Sequence, residues 1–458
     1  MDEFDDDYPV EMQISDFNSY VTRDNTADMT HMIEKYGYDI DNVDSRGKTA
    51  LHVAAMNSSL ITLEFILSKV RNPNPLDHDG VSPLMITVGT GDVEMFSTIV
   101  KKMEEPIFRI RLLSTTHVKR DGTTLLMLAC KSGRAKPRHG ITGKSSDLVR
   151  ILLDAGFSPY VKDKKGQTAL HYAVQSERPD RTETLLILLK SMPDNTLVHL
   201  KDNDGNTPLH LACKNTRGNV QMLQVLLAHG ARVSDTNLKQ ETPLHVVARL
   251  RVYELVPVLC DAGADTQARD IMGRTPTHAA VERLDKGWGR TDQNNSFHTF
   301  ESLMLAWNPR YKLSYLDVKD KNGMTPLLVA CTDYNLFSAT RLIRIPGINI
   351  NAVDNKGITV LHACVRHGWS GMINELIRLG VKIHESDIHG ETAMQLSQRM
   401  RHNSKTYEMS AELLRNRHAL SQERSHAFSM GLHKRLGADS RIGDLNISEI
   451  QQMIARNT

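Results

Sequence analysis

The chain has 458 residues, with 56 Lys and Arg against 54 Asp and Glu, 40% hydrophobic residues and 5% aromatics. Charges so nearly balanced create no global field to gather nucleic acid, a membrane surface or a polyanionic substrate, so any electrostatic recognition has to be local. Few aromatics among many small aliphatic residues favour closely packed helices, and the prior of about three globular domains for this length does not hold if the chain is built of repeats.

The N-terminus reads MDEFDDDYP, with five carboxylates among its first seven residues. That is the opposite of the basic-then-apolar start of a secretory signal, and residues 1–13 are expected to be an acidic disordered segment. Residues 14–43 carry apolar Met29, Met32 and Ile33 ahead of Gly37. From there one motif returns along the chain: GKTALHVAA at Gly47, GVSPLMITV at Gly80, GTTLLMLAC at Gly122, GQTALHYAV at Gly166 and GNTPLHLAC at Gly205. It continues as QETPLHVVA at Gln240, GRTPTHAAV at Gly273, GMTPLLVAC at Gly323, GITVLHACV at Gly357 and GETAMQLSQ at Gly390. The spacings are 33, 42, 44, 39, 35, 33, 50, 34 and 33 residues, so the base period is 33 and the excess is insertion. A second element, LLDAGFSPYVKD at Leu152, LLAHGARVSDTN at Leu226 and LCDAGADTQARD at Leu259, recurs between the anchors.

A period of 33 with T-P-L-H-x-A and L-L-x-x-G-A-D resembles the ankyrin-repeat family over residues 10 to 418. The resemblance implies an all-α solenoid of stacked helix pairs with β-hairpin fingers. It places an atypical capping repeat on residues 14–43, ten repeats on residues 44–418 and a non-repeat helical tail on residues 419–458. YEMSAELLRNRHA from Tyr407 would be the outer helix of repeat ten. The residues suit such elements: Thr as N-cap with Pro in the first helical position, small residues facing neighbouring repeats, and Gly156, Gly230 and Gly263 at left-handed helix ends.

Two insertions interrupt helix pairs, near residues 134–147 and 284–300. The first, GRAKPRHGITGKSSD, ends in Gly143-Lys144-Ser145 like a phosphate-binding P-loop, but Arg138 stands where the first glycine belongs and no strand precedes it, so the motif fails. The loop carries Arg134, Lys136, Arg138 and Lys144 without an acid, and Thr142, Ser145 and Ser146 as candidate phosphoacceptors. It reads either as a solvated loop or as a second contact edge. Further length lies on the finger side at residues 104–122 and 308–323.

No enzyme signature is present, and no cofactor or metal is expected. His52, His171, His210, His245, His278 and His362 share one slot of T-P-L-H, on helices about 8 to 10 Å apart. Ligands of one zinc lie about 2 Å from it, so equivalent histidines cannot share a metal, and the family resemblance implies that they hydrogen-bond finger backbone. The five cysteines are odd in number and lack a C-x-x-C pair, which speaks against a disulfide framework or zinc knuckle. Cys130, Cys213, Cys331 and Cys364 fall in alanine-type slots and Cys260 in an outer helix, as small buried hydrophobes. A reducing cytoplasmic or nuclear setting is expected, and no apolar run approaches the roughly 18 residues of a membrane span.

By the resemblance, a protein partner would bind the concave face made by finger tips and the ends of inner helices. The candidates are Lys164, Lys165, Gln167 and Gln175 in repeat four; Asn203, Asp204, Asn206, Lys214 and Asn215 in repeat five; Leu238, Lys239, Glu241, Arg249 and Leu250 in repeat six; and Ile271, Met272, Arg274, Glu282 and Arg283 in repeat seven. Leu238, Leu250, Ile271 and Met272 are the apolar residues among them and mark the expected hot spot. In the tail, Leu445, Ile447, Ile450, Met453 and Ile454 fit one helix face. That helix reads either as a cap on repeat ten or, by a resemblance to F-box-like tails, as a recruiter of a ubiquitin-ligase subunit.

The function expected is therefore a nonenzymatic, monomeric interaction scaffold or adaptor with a protein partner and no nucleic-acid or membrane ligand. Substrate recognition for a ubiquitin ligase and cytoplasmic inhibition of a transcription factor are the alternatives, although the acidic N-terminus has no serine pair resembling the phosphodegron of the inhibitor-of-NF-κB family.

Overall fold

The structure is a computed structural model and describes residues 10–103, 121–131, 145–177, 180–191, 194–214, 220–282, 290–305 and 316–400, with Glu412, Leu414 and Arg415. The extra finger-side length before residue 121 and at residues 306–315, the basic loop at residues 132–144 and the tail from residue 416 lie outside the described residues. The chain divides into two compact units, Met1–Ala280 with Gly289–Arg310 and Val281–Trp288 with Tyr311–Thr458.

In the first unit the inner helices Ala50–Asn57, Pro83–Thr90, Leu125–Lys131, Ala169–Gln175, Pro208–Cys213 and Pro243–Leu250 have six to eight residues. An isolated helix shorter than about 12 residues is marginal in water, so these depend on their caps and on packing. Thr49, Thr168, Thr207 and Thr242 sit in extended backbone before the helix, and each forms a reciprocal box with the histidine three residues on. Pro83, Pro208 and Pro243 open their helices where a missing N–H costs nothing. Leu51, Leu84, Leu126, Leu170, Leu209 and Leu244, one slot of successive inner helices, are fully buried, each contributing roughly 1.5–3 kcal/mol.

The outer helices Leu60–Lys69, Val93–Met103, Ser145–Asp154, Arg181–Lys190, Val220–Ala228 and Leu255–Asp261 cover the other side of this core. The capping pair is Val10–Thr22 with Thr26–Tyr36, and Phe17, Val21 and Met29 are buried in it. Its first helix starts at Val10, so the boundary expected at residue 13 falls inside a helix. The buried Ile14 and Phe17 need the preceding turn to hold their backbone.

Repeat seven differs similarly. Its outer helix is Arg290–Leu305, so most of the insertion expected near residues 284–300 is helix. Helix there satisfies the backbone of a polar segment within itself, Thr299 Oγ donates to Asn295 O at 2.7 Å, and Phe300 and Leu303 are buried on its inner face. A 3-10 turn at Asn195–His199, which buries Leu197 and Val198, takes up the extra length of repeat four.

The second unit repeats the scheme. Its inner helices are Pro326–Thr332, Val360–Arg366 and Ala393–Met400, and its outer helices Leu336–Ile343 and Ser370–Arg378. Leu414, on the segment expected to form the last outer helix, is buried.

The fingers are tight turns, and regular β pairing among the described residues is limited to isolated bridges at Val353–Thr359 and Ser386–Thr392. The leading Asp accounts for this: Asp163 Oδ1 accepts the N–H groups of Lys165 and Gln167, and Asp202 Oδ1 those of Asp204 and Asn206. A side-chain oxygen thus takes donors that a longer strand ladder would use.

Candidate functional site

The first unit's fingers are joined edge to edge by one recurring backbone bond. The N–H of His78 donates to Arg46 O, Lys164 to Asp121 O, Asn203 to Lys165 O, Leu238 to Asp204 O and Ile271 to Lys239 O, at 2.9 to 3.0 Å. The ladder requires a close approach at Gly205, where φ is +78° and an added Cβ would stand 2.7 Å from Leu238 N. It also sets the two residues after each leading Asp or Asn side by side with their counterparts in the next finger.

Those positions hold most of the exposed candidates. Lys164, Lys165, Asn203, Asp204, Leu238, Lys239, Ile271 and Met272 are exposed, as are Gln175 and Lys214 at inner-helix ends. Leu238 is 69% exposed, Ile271 45% and Met272 38%, and the ladder brings these three apolar tips onto adjoining fingers. Gln167, Leu250, Arg249 and Arg274 are half-buried. Arg274 Nε lies 3.0 Å from Asp270 Oδ2, which ties it to its own turn. Glu282, half-buried, belongs to the second unit, and Asn215 and Arg283 lie outside the described residues.

Two candidates do not face outward. Asn206 and Glu241 are buried, 2% and 6% exposed, because their side chains fold back under the finger and bond to other side chains there. Asn206 Nδ2 lies 3.2 Å from both Asp202 carboxylate oxygens, and Asn237 Nδ2 donates to Asn206 Oδ1 at 3.3 Å and to Glu241 Oε2 at 2.9 Å. Arg249 Nε closes the chain on Glu241 Oε1 at 3.1 Å. Burial pushes the Glu241 carboxyl upward, but the Asn237 bond and the Arg249 and Lys239 charges outweigh it and hold the group below its usual value. This polar chain stitches fingers five and six together beneath the surface.

The histidines are structural. The Nδ1 of His210 accepts the Thr207 N–H at 3.3 Å and faces its hydroxyl at 2.8 Å, while Nε2 reaches Glu241 O in the next finger at 3.0 Å. His52, His171 and His245 repeat this with Val81 O, Asn206 O and Arg274 O. Burial lowers the pKa of all four, partly offset by these carbonyl bonds. Cys130 and Cys213 are buried and their thiols pushed well up by desolvation, and Cys260 is raised to about 11, which leaves little thiolate for nucleophilic work. Among the described residues no group of three His, Cys, Asp or Glu side chains could hold a metal ion.

Ser146 changes the reading of the basic loop. It is fully buried in the first turn of its helix, its N–H 3.3 Å from Asp180 Oδ2, so a phosphate there would meet both burial and a carboxylate. Thr142 and the loop's Arg134, Lys136, Arg138 and Lys144 lie outside the described residues.

A row of lysines escaped sequence reasoning. Lys162 Nζ donates to Lys201 O at 2.8 Å and Lys201 Nζ to Thr236 O at 2.6 Å, each reaching the next finger, and in the second unit Lys319 Nζ donates to Val353 O at 2.7 Å. The available signal was Lys directly before the turn Asp in KDKKG, KDNDG and KDKNG. Another unforeseen feature, in the second unit, is the ring cluster of Tyr334, His367 and Trp369 beside exposed Leu336 and Phe337.

A model of the family described as ankyrin repeats matches residues 20–109, 107–199 and 138–237. The chain is 24% identical over 407 residues to the human transient receptor potential cation channel subfamily A member 1, covering 80% of this chain and 32% of that protein. It is 29% identical over 224 residues to the mouse B-cell lymphoma 3 protein homolog, 44% of this chain and 50% of the relative. With mouse neurogenic locus notch homolog protein 1 it shares 32% identity over 193 residues, 39% of this chain and 7% of that one. The chain thus spans half or less of the length of each of these relatives.

Proposed function

We propose, on the premise that this chain belongs to the ankyrin-repeat family, that it is a nonenzymatic scaffold or adaptor whose finger face in repeats five to seven holds a protein partner. The observation that carries this is the exposure of Leu238, Ile271 and Met272 on adjoining fingers, positions that solvation alone would fill with polar residues. Nothing in the turns needs those side chains: the bonds that build fingers six and seven come from Asn237, Asp270 and the backbone. Leu250 and Arg249, half-buried at the end of the inner helix, extend the same surface.

A reducing compartment suits thiols that form no disulfide, four of them buried. The test is the double substitution Leu238→Asp with Ile271→Asp in the full chain. Affinity-captured proteins, quantified by mass spectrometry against the parent chain, should fall at least tenfold while thermal melting stays unchanged. Full retention of the captured set by the double variant would defeat the reading. The ligase-adaptor alternative depends on residues 421–458, outside the described residues, and loss of a ligase subunit from the captured set on deleting them is what it requires.

A further inference from the structure

Exposed lysines gather on the finger face before the apolar tips begin. Lys131 ends the inner helix of repeat three, with its Nζ 5.4 Å from the centroid of the Tyr172 ring. Lys164 and Lys165 tip finger four, Lys214 follows the inner helix of repeat five, and Lys239 adjoins Leu238. Among the described residues none of these five lysines is ion-paired, whereas Arg249 at the end of an inner helix and Arg274 on finger seven are held by Glu241 and Asp270. The carboxylates of Asp163, Asp202 and Asp270 are buried in their turns, spent on backbone N–H groups. Asp121 and Asp204 are the exposed acids among the turn residues of fingers three to seven. Over repeats three to five the exposed lysines Lys131, Lys164, Lys165 and Lys214 outnumber the exposed acids Asp121, Glu177 and Asp204, and over six and seven the tips turn apolar, although the whole chain is nearly neutral.

We infer that this face takes an extended acidic peptide segment carrying an apolar anchor, with its carboxylates over Lys131, Lys164, Lys165 and Lys214 and its anchor against Leu238, Ile271 and Met272. The inference rests on the reading of the finger face as the docking site and adds the chemistry of the partner. Successive helices stand about 10 Å apart and an extended chain advances about 3.3 Å per residue, so the segment offers one side chain per finger roughly every third residue. Finger four to finger seven is then about nine residues. Exposed charge pairs are individually weak and screened by salt, so the lysines select the partner and speed its arrival while the apolar anchor sets how long it stays. A nucleic acid fits less well: Asp204 interrupts the basic run, and the tips of fingers six and seven offer little to a phosphate.

The test uses the full chain and fluorescence anisotropy with a labelled peptide of six glutamates, a short Gly-Ser spacer and Leu-Trp-Leu, made in both orders, each with a glutamine-for-glutamate control. In one order the glutamate peptide should bind at least tenfold more tightly than its control. That advantage should fall below threefold at 300 mM salt and in the triple variant Lys164→Glu, Lys165→Glu, Lys214→Glu, whose substitutions are all at exposed positions. Equal binding of glutamate and glutamine peptides in both orders overturns the inference. If both peptides are nevertheless lost with Leu238→Asp and Ile271→Asp, the docking face stands and only the acidic preference falls. If neither set of substitutions alters binding, both fall together. A dT12 oligonucleotide that binds more tightly than the peptide, and is lost in the triple variant, would also overturn it in favour of a nucleic acid.

Discussion

Fingers four and five carry Lys164-Lys165 and Asn203-Asp204 at the same two positions where fingers six and seven carry Leu238-Lys239 and Ile271-Met272. Their backbones are nearly interchangeable. In each, the leading Asp or Asn accepts the N–H groups two and four residues on, and each finger donates one N–H to the finger before it. Apart from Asn203, whose Nδ2 donates to Lys164 O at 2.8 Å, the tip side chains make none of the bonds that build the turns, so differences among them carry little structural demand. Such positions are where a repeat protein can hold specificity without weakening its stack.

The comparison breaks most severely if the shared machinery is cut. His210→Ala removes the ring that accepts the Thr207 N–H and reaches Glu241 O, leaving buried groups unpaired, and should cost about 2–4 kcal/mol in urea unfolding. A cost under 0.5 kcal/mol would mean that the box is dispensable. Acid should act on the same element. His52, His171, His210 and His245 have folded pKa values below the ordinary 6.5, so the neutral ring is the folded form. Their contribution is complete above pH 6.5 and is lost as pH falls through the lower folded values, because the unfolded chain then binds protons first. Urea midpoints taken between pH 7.5 and 5 should therefore decline, and less steeply in His210→Ala.

A smaller effect lies at the one finger of repeats four to seven that lacks the turn glycine. Gln240 occupies the slot with φ of 57°, and Gln240→Gly should raise stability by about 0.5–1 kcal/mol in chemical denaturation. A loss instead would show that the Gln side chain is needed. The smallest change is the most instructive. Making finger four resemble finger seven, with Lys164→Ile and Lys165→Met, should shift unfolding by no more than about 0.5 kcal/mol, since both residues are exposed. A larger shift would make the tips part of the fold.

The repeat register was legible because Gly, Thr, Pro, His and the paired leucines serve bonds and contacts that recur at every unit. Asn206 and Glu241 were misplaced for the opposite reason. The slot after the turn residue holds Lys48, Val81, Thr123, Gln167 and Arg274 elsewhere in the first unit, a variety that looks like a surface. Asn206 is met there by Asn237 from the next finger, 31 residues on, and Glu241 by Asn237 of its own turn and by Arg249 from the inner helix, a set of partners that no single local pattern announces. The helix at Arg290–Leu305 hid behind Asn294, Asn295 and Ser296, poor helix formers whose propensity is overridden by the burial of Phe300 and Leu303. Of the proposed binding face, the apolar tips could be read from the sequence, whereas the freedom of the lysines from ion pairs among the described residues could not, since it depends on which carboxylates are buried inside turns.

The lysine ties have a mechanical meaning. Fingers four to five and five to six are joined by a backbone bond and by a lysine stem, Lys162 to Lys201 O and Lys201 to Thr236 O. Thr236 is too short to pass a lysine tie onward, and the junction of fingers six and seven carries the Ile271 to Lys239 backbone bond and the His245 reach to Arg274 O in place of such a stem. Springs loaded in series stretch most at the softest coil. Lacking a lysine stem, this junction is where tension along fingers four to seven is expected to open the stack first, at the same joint as the proposed docking surface.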